Sequence, residues 1–185
     1  MQRIFQTSLT PEQYAQQEYH RQVRRPENCP NCDGVHSLEA LAYYQRYITT
    51  ALALVLRIWV RRFLCRVCRI SVSCLPQFAQ PYRPVNTTTI AAGFNGENAR
   101  PEVQRWSHLI EGYWRGFETH LPVLLRQVGN ALGPLPLQPT AEGFWGQLIA
   151  HCGDLAEATR QLIDQFHTCL FGTYRCHQRR PLHAG

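Results

Sequence analysis

Apolar and polar residues alternate along the stretch from Leu52 to Leu64. The even-numbered positions up to Val60 are all leucine, isoleucine or valine, whereas the odd-numbered positions from Arg57 onward alternate arginine with an aromatic residue. A period of two predicts a β-strand with one buried face and one face of interleaved basic and aromatic groups. The alanines and leucines at its beginning also permit a helix, so the first residue of this strand stays open.

A second alternating run follows almost at once. Ile70, Val72 and Cys74 alternate with Arg69 and two serines. Two alternating runs separated by a short segment predict a β-hairpin, with residues 65–68 at its tip.

Two C-x-x-C motifs are the candidate chemistry of this region. Cys65 and Cys68 lie at the predicted hairpin tip, and Cys29 and Cys32 lie upstream, with 32 residues between the motifs. Each motif can form a knuckle that directs two sulfurs at one ion, and four thiolates complete a tetrahedral zinc site. We therefore predict structural Zn²⁺ bound by these four cysteines, with no open position for catalysis. A redox pair or a chance pairing of the motifs is the alternative.

Helical periodicity replaces the strand pattern after Tyr82. A short helix over residues 88–94, a turn at Gly96 and a longer helix with an apolar stripe from Val103 to Phe117 predict a helix pair. This pair is a candidate helix-turn-helix, and two ordinary packing helices are the alternative. Capping-box patterns indicate two more helices, one over residues 10–25 that begins at Thr10 and a later one that begins at Asp154.

These patterns predict an α+β fold, in which a small N-terminal four-cysteine zinc ribbon, rich in β-hairpin, precedes an all-α C-terminal region. The expected segments are an N-terminal helix (1–25), the ribbon (26–84), the helix pair (85–132), a proline-rich linker (133–143), C-terminal helices (144–175) and a basic tail (176–185). A second metal site from the histidines and cysteines after residue 150 matches no familiar finger spacing.

The net charge is +6 at pH 7, and all 19 basic residues are arginines. Arginine binds phosphate or carboxylate with a rigid fork of donors, so a polyanion is the favoured partner. A GC-rich genome would produce the same arginine bias without any such partner. The residues predicted to bind nucleic acid share a basic or aromatic side chain near the cysteines or in the helix pair: Arg57, Trp59, Arg61, Arg62, Arg66, Arg69, Arg83 and Arg105.

The segment "CPNC…RRFLCRVCRISVSCLPQFAQPYR" resembles the zinc-ribbon segment of uncharacterised bacterial proteins associated with insertion sequences and transposases. The matching residues are Cys29, Cys32, Arg61 to Phe63, Cys65, Cys68, Leu75, Pro76, Phe78, Pro81, Tyr82 and Arg83. The resemblance covers residues 28 to about 84. It implies a transposase-like zinc-binding domain in a mobile-element context, often followed by a DNA-reading helix pair with an Arg-Trp pair, here Arg105-Trp106.

An enzyme is not expected. A transposing nuclease needs three carboxylates around two divalent ions, whereas the three aspartates are Asp33 beside a knuckle and Asp154 and Asp164 ten residues apart. We expect an accessory or regulatory DNA-binding protein; a zinc-stabilised protein–protein adaptor is the alternative. A transposase, another protein or a second copy are further candidate partners. The chain shows no signal peptide or membrane span, which predicts a cytoplasmic protein.

Overall fold

The computed structural model describes residues 1–50, 54–133 and 139–171. Within these ranges it contains four strands, six α-helices and one 3₁₀ turn. In chain order they are β1 (Gln2–Phe5), α1 (Pro11–Gln16), the 3₁₀ turn (Tyr19–Arg21), β2 (Leu38–Thr49), β3 (Val55–Cys65), β4 (Ser71–Pro76), α2 (Thr87–Phe94), α3 (Pro101–Arg105), α4 (Ser107–Val128), α5 (Ala141–Cys152) and α6 (Leu155–Asp164).

The strands form one mixed sheet in the order β1-β4-β3-β2. β3 pairs antiparallel with both of its neighbours, whereas β1 pairs parallel with β4. The β2–β3 hairpin is long, and its register shifts once, between Ala40 and Ala42. β2 is therefore an edge strand, paired on one side by β3.

One face of the sheet is buried, as the alternation of apolar residues predicts as far as Val60. Phe63, which the same alternation puts on the basic and aromatic face, is instead 1% exposed. Ile58 and Val60 of β3 and Ile48 of β2 are fully buried. They belong to one apolar cluster with Ile4 of β1 and Ile163 of α6. Full burial of an aliphatic side chain is worth about 1.5–3 kcal/mol, so this cluster holds α6 against the sheet.

The helices share a second apolar core. Phe117 and Leu124 of α4, Phe144 and Leu148 of α5 and Leu155 of α6 are buried within it. Because α6 contributes to this core and also packs against β1, the helical core and the sheet are joined through that helix.

The predicted arrangement of a ribbon followed by an all-α region is wrong. The structure is α+β, but the four cysteines lie at one end of a four-stranded mixed sheet, in the β2–β4 region. The sheet includes β1, which precedes the cysteines, and it packs against α6, which follows the other helices in the chain. Arg3 of β1 also forms an ion pair with Asp164 of α6 at 3.3 Å. The physical reason is that the apolar sheet face needs a cover, which α6 supplies.

Several predicted elements differ in their limits. Thr10 caps α1 with a capping box, as expected, but the helix ends at Gln16, and Glu18 adopts a left-handed conformation with φ of 47°. The longer helix of the pair is interrupted at Trp106 and then continues to Val128. Asp154 caps α6, which confirms that prediction. The limits proposed for separate domains stay predictions.

Other predicted features lie outside the described residues. They are the beginning of the first alternating strand, residues 134–138 of the proline-rich linker and the basic tail. Among the helices of the described ranges, none combines the length and the apolar character that crossing a membrane requires.

Candidate metal centre

The two C-x-x-C motifs meet because the β2–β3 hairpin brings its open ends together. The first motif precedes β2, and the second begins at the last residue of β3. The register pairs Leu38 with Cys65, so the long spacer between the motifs is the hairpin itself. β3 and β4 then form the predicted hairpin with the second motif in its turn, which confirms that interpretation.

The four sulfurs lie within 4.8 Å of one another. Cys29 Sγ is 3.7 Å from Cys68 Sγ, and Cys32 Sγ is 3.7 Å from Cys65 Sγ. A tetrahedron with metal–sulfur bonds of about 2.3 Å has edges of about 3.8 Å. The observed sulfur separations therefore match four thiolates around one ion.

The two motifs fold into equivalent turns. The amide of Asp33 donates to the carbonyl of Cys29 at 2.8 Å, and the amide of Arg69 donates to the carbonyl of Cys65 at 3.0 Å. Asp33 and Arg69 both have positive φ, at 55° and 60°. Within each turn a backbone amide points at the first sulfur at 3.5 Å, from Asn31 in one and from Cys68 in the other. Such repeated geometry is typical of knuckles that present two sulfurs to a single ion.

The thiols have unequal proton affinities. Burial raises the pKa of Cys29 to about 12 and also raises that of Cys32. Burial also acts to raise the pKa of Cys65, but the hydrogen bond between Cys65 and Ser37 and those from the amides of Cys68 and Val67 outweigh it and lower that pKa to about 6. Thiolates are the species that bind metal, so an ion entering here displaces protons from both Cys29 and Cys32.

Ser37 is a polar group behind this site that sequence reasoning missed. It is buried, and its hydroxyl lies 3.2 Å from Cys65 Sγ and 2.7 Å from the carbonyl oxygen of Gly34. Polar groups in this position orient a ligating sulfur. A serine directly before a strand carries no signal of such a role in sequence.

The arginines next to the cysteines are bound to other groups. Arg61 donates through Nη1 to the carbonyls of Arg21 and Val23, at 3.0 and 3.1 Å. Arg62 donates to Ser71 Oγ at 2.9 Å, and Arg66 forms an ion pair with Glu39. Arg61 and Arg62 thus have structural contacts, which proximity in sequence did not indicate.

The remaining predicted nucleic-acid residues lie in four places. Arg57 and Trp59 are exposed on one face of β3, and Arg69 is exposed at the second knuckle. Arg83 is half-buried, donates to the carbonyl of Phe171 at 3.3 Å and stacks on Tyr113 and Phe171, far along the chain. Arg105 is exposed in α3, with its guanidinium over the Trp106 ring. Their roles in binding stay predictions.

Residues that share a surface with Arg57 and Trp59 were not singled out by the sequence patterns. Tyr43, Gln45 and Tyr47 of β2 lie on the same face, since the register pairs Gln45 with Trp59 and Tyr47 with Arg57. Their alternation with Tyr44 and Arg46 is the signal that was available.

The four-cysteine group is the only cluster of three or more potential metal-binding side chains that we find in the described parts of the chain. Cys152, one candidate for a second site, instead donates to Gln161 Oε1 at 3.6 Å. Cys176 and His177, two further candidates, lie beyond the described residues.

Comparisons of the chain with protein-family models, with curated proteins and with solved structures give no match. The resemblance to proteins associated with insertion sequences therefore stays a prediction. What the geometry establishes is a cluster of four cysteines, compatible with a metal site, at the open end of a long β-hairpin.

Proposed function

We propose that this chain is a zinc-stabilised DNA-binding protein that acts as an accessory or regulatory factor without catalysis of its own. One observation carries the proposal: the four-cysteine cluster closes the end of a hairpin whose outward face presents Arg57 and Trp59 to solvent. The ion stabilises the hairpin, and the hairpin displays the binding groups.

Zinc is the ion that the donor set favours. Four thiolates in tetrahedral geometry suit Zn²⁺ or iron, and zinc needs no redox partner. Four protein ligands leave no open position, so the ion contributes folding free energy rather than chemistry. We expect the purified, reduced protein to contain one zinc per chain by elemental analysis, and the variant Cys29→Ser to lose both the metal and the folded hairpin. Stoichiometric iron with the absorption of an iron–thiolate centre would replace zinc in the proposal.

The charge distribution supports a polyanion as partner. Residues 38–83 contain seven arginines and a single carboxylate, Glu39. Glu39 forms an ion pair with Arg66, so it neutralises little of the positive charge that the other arginines contribute. A surface of this sign raises the local concentration of DNA and accelerates its association.

Salt dependence of binding tests the proposal directly. Fluorescence anisotropy of a labelled mixed-sequence duplex, at several salt concentrations, gives the slope of log K against log salt. Each neutralised phosphate contributes about −0.9 to that slope for duplex DNA. We expect Arg57→Gln and Arg105→Gln each to reduce the slope by about one contact. A slope near zero, or no binding at micromolar protein, would refute a DNA-binding role.

The absence of catalysis and the mobile-element context need separate tests. Incubation with supercoiled plasmid and Mg²⁺ or Mn²⁺ is expected to leave the plasmid uncut; nicking that depends on the divalent ion would contradict the proposal. The mobile-element context rests on the resemblance of the knuckles and of the "LPQFAQPYR" closure alone. A transposase gene beside this one would support it.

A protein–protein adaptor is the second candidate, favoured by the edge strand. β2 lies at the edge of the sheet and exposes Leu41 and Tyr47. Exposed edge strands accept a further strand from a partner. Sedimentation that shows concentration-dependent self-association, together with no shift of DNA at low salt, would favour the adaptor over the DNA-binding protein.

A further inference from the structure

Three aromatic rings share the outward face of the β2–β3 hairpin. Tyr43 and Tyr47 belong to β2, and Trp59 belongs to β3 opposite Gln45. Together with Gln45 and Arg57 they define what we call the ring face. The rings are 43%, 59% and 42% exposed in that order. Single exposed apolar residues are ordinary, but three large rings on one strand pair mark a binding surface.

The rings follow one another at regular intervals across the two strands. Trp59 faces Gln45, which lies midway between Tyr43 and Tyr47, so Trp59 is diagonal to both tyrosines. Diagonal neighbours on a sheet are about 7–8 Å apart. The ring face is therefore a zigzag of three rings in steps of about 7–8 Å.

This spacing distinguishes single strands from duplexes. Bases in a duplex rise by about 3.4 Å along each strand and already stack on one another. Successive duplex bases cannot reach rings that are about twice as far apart. An extended single strand has unstacked bases that can lie on separate aromatic side chains, as in sheet-based binders of single strands.

The charges beside the rings suit a phosphate backbone. Arg57 lies over the ring of Tyr47 at 5.8 Å and donates to Gln45 Oε1 at 2.9 Å. Arg61 lies over the ring of Tyr43, also at 5.8 Å. Arg57 is exposed, so its remaining donors can contact phosphate, whereas Arg61 contributes its positive charge while its Nη1 stays bound to the backbone. The strands β2 and β3 carry one carboxylate, Glu39, and it is the one paired with Arg66.

A recess of about 470 Å³ adjoins the ring face. It is lined by Tyr43, Trp59, Glu18, His20 and Arg21, and the His20 ring lies against Tyr43 and Trp59, with ring centroids 5.2 and 6.0 Å apart. Arg21 pairs with Glu18 at 3.1 Å and so offsets the carboxylate that faces the recess. The recess has the size of a small ligand site, which leaves room for a base beside the Trp59 ring.

We infer that the ring face binds single-stranded nucleic acid, with successive bases stacked on Tyr43, Trp59 and Tyr47. This inference rests on the proposed function and narrows its partner from DNA in general to single strands. DNA and RNA share the chemistry that the rings recognise, so the test has an arm for each.

Anisotropy measurements on the zinc-loaded, full-length chain test the inference. The probes are a labelled 20-nucleotide DNA of mixed sequence, the RNA of the same sequence and the blunt DNA duplex. We expect a single strand to bind more tightly than the duplex. Tyr47→Leu and Trp59→Leu should each weaken single-strand binding about 5- to 150-fold, the loss of about 1–3 kcal/mol per stacked base. Duplex binding should change by less than about twofold.

Matched variants separate stacking from apolar contact and from folding. Trp59→Tyr and Tyr47→Phe keep a ring and should retain binding within about threefold, whereas the leucine variants keep apolar character without a ring. Because both side chains are exposed, circular dichroism and zinc content should be unchanged in all four variants.

The outcomes distinguish this inference from the function on which it rests. If the duplex and the single strand bind equally tightly and the leucine variants bind both normally, the role inferred for the ring face is wrong. The DNA-binding proposal then still stands. No binding to any of the three probes overturns both. The chain could also bind no nucleic acid but self-associate, with Trp59→Leu abolishing the self-association. This result would assign the ring face to contact with a second copy and would also overturn the inference. Preference for the DNA or the RNA strand identifies the source of the ligand.

Discussion

Arg57 and Arg61 lie on the same face of β3, four residues apart, yet we predict opposite consequences of removing them. Arg61→Ala should destabilise the fold, whereas Arg57→Ala should leave stability unchanged and weaken nucleic-acid binding. The two side chains differ in their contacts. Arg61 is half-buried and bound to the backbone of the segment after the 3₁₀ turn, whereas Arg57 is exposed.

The contacts of Arg61 set the size of the effect. Its Nη1 donates to the carbonyls of Arg21 and Val23, and its guanidinium lies over the rings of Tyr43 and Phe63 at 5.8 and 5.2 Å. A hydrogen bond from a charged donor contributes about 1.5–3 kcal/mol, and a ring contact about 0.5–1 kcal/mol at an exposed site. The carbonyl of Arg21 is exposed and recovers water, so we expect a loss of about 2–4 kcal/mol.

Arg57 is the matched control. Its hydrogen bond to Gln45 is exposed, and surface substitutions of this kind usually change stability by less than about 0.5 kcal/mol. Arg61→Lys should not restore stability, because an ammonium group lacks the planar fork that lies between two rings.

Urea unfolding, followed by circular dichroism at constant zinc and reductant, measures the difference. With m of about 2 kcal/mol per M, Arg61→Ala should lower the midpoint by about 1–2 M at unchanged m. If Arg61→Ala and Arg57→Ala unfold at the same urea concentration, the structural role assigned to Arg61 is wrong. Anisotropy on the same two proteins should show weaker binding for Arg57→Ala at full stability.

Three further predictions concern the packing of the fold, and urea midpoints measure each of them. Gly93→Ala should destabilise the fold by about 1–2 kcal/mol, because the added Cβ would lie 2.6 Å from Ile110 Cγ2. Gly112→Ala is the control: its Cβ meets nothing within 4 Å, so it should stabilise the fold by about 0.5–1 kcal/mol. Equal shifts of the two midpoints would contradict the close approach of α2 and α4. Ile58→Ala should cost about 2–5 kcal/mol, since this side chain is fully buried in the sheet core; a loss below 1 kcal/mol would show that the site is not packed. Asp154→Ala should cost about 1 kcal/mol, because its carboxylate accepts the amide of Glu157 at 2.8 Å, and Asp154→Asn should recover most of it.

The sequence alone predicts the features that depend on residues close together in the chain. The alternation around Ile58 predicts the buried face of β3, the capping patterns at Thr10 and Asp154 predict two helix starts, and two C-x-x-C motifs predict a four-sulfur cluster. Each of these signals depends on side-chain chemistry and on the residue spacing of a strand or a turn. A few consecutive residues contain all of this information.

The helix pair was predictable in part for the same reason. An apolar stripe at helical spacing predicts the helix, but the interruption at Trp106 and the extension to Val128 depend on packing against α2, α5 and α6. The observed helix continues through Pro122, a residue that disfavours a helix interior, so these contacts outweigh the local preference.

Tertiary structure decided the features that join distant parts of the chain. β1 is four residues long and pairs parallel with β4 about 70 residues later, and Ile163 of α6 completes the sheet core. The register of β2 against β3 places Tyr47 and Tyr43 beside Trp59, and the segment after the 3₁₀ turn binds Arg61 while Arg57 stays exposed. Such contacts are selected by the free energy of burying whole faces together, a sum over residues far apart in sequence that no local pattern contains.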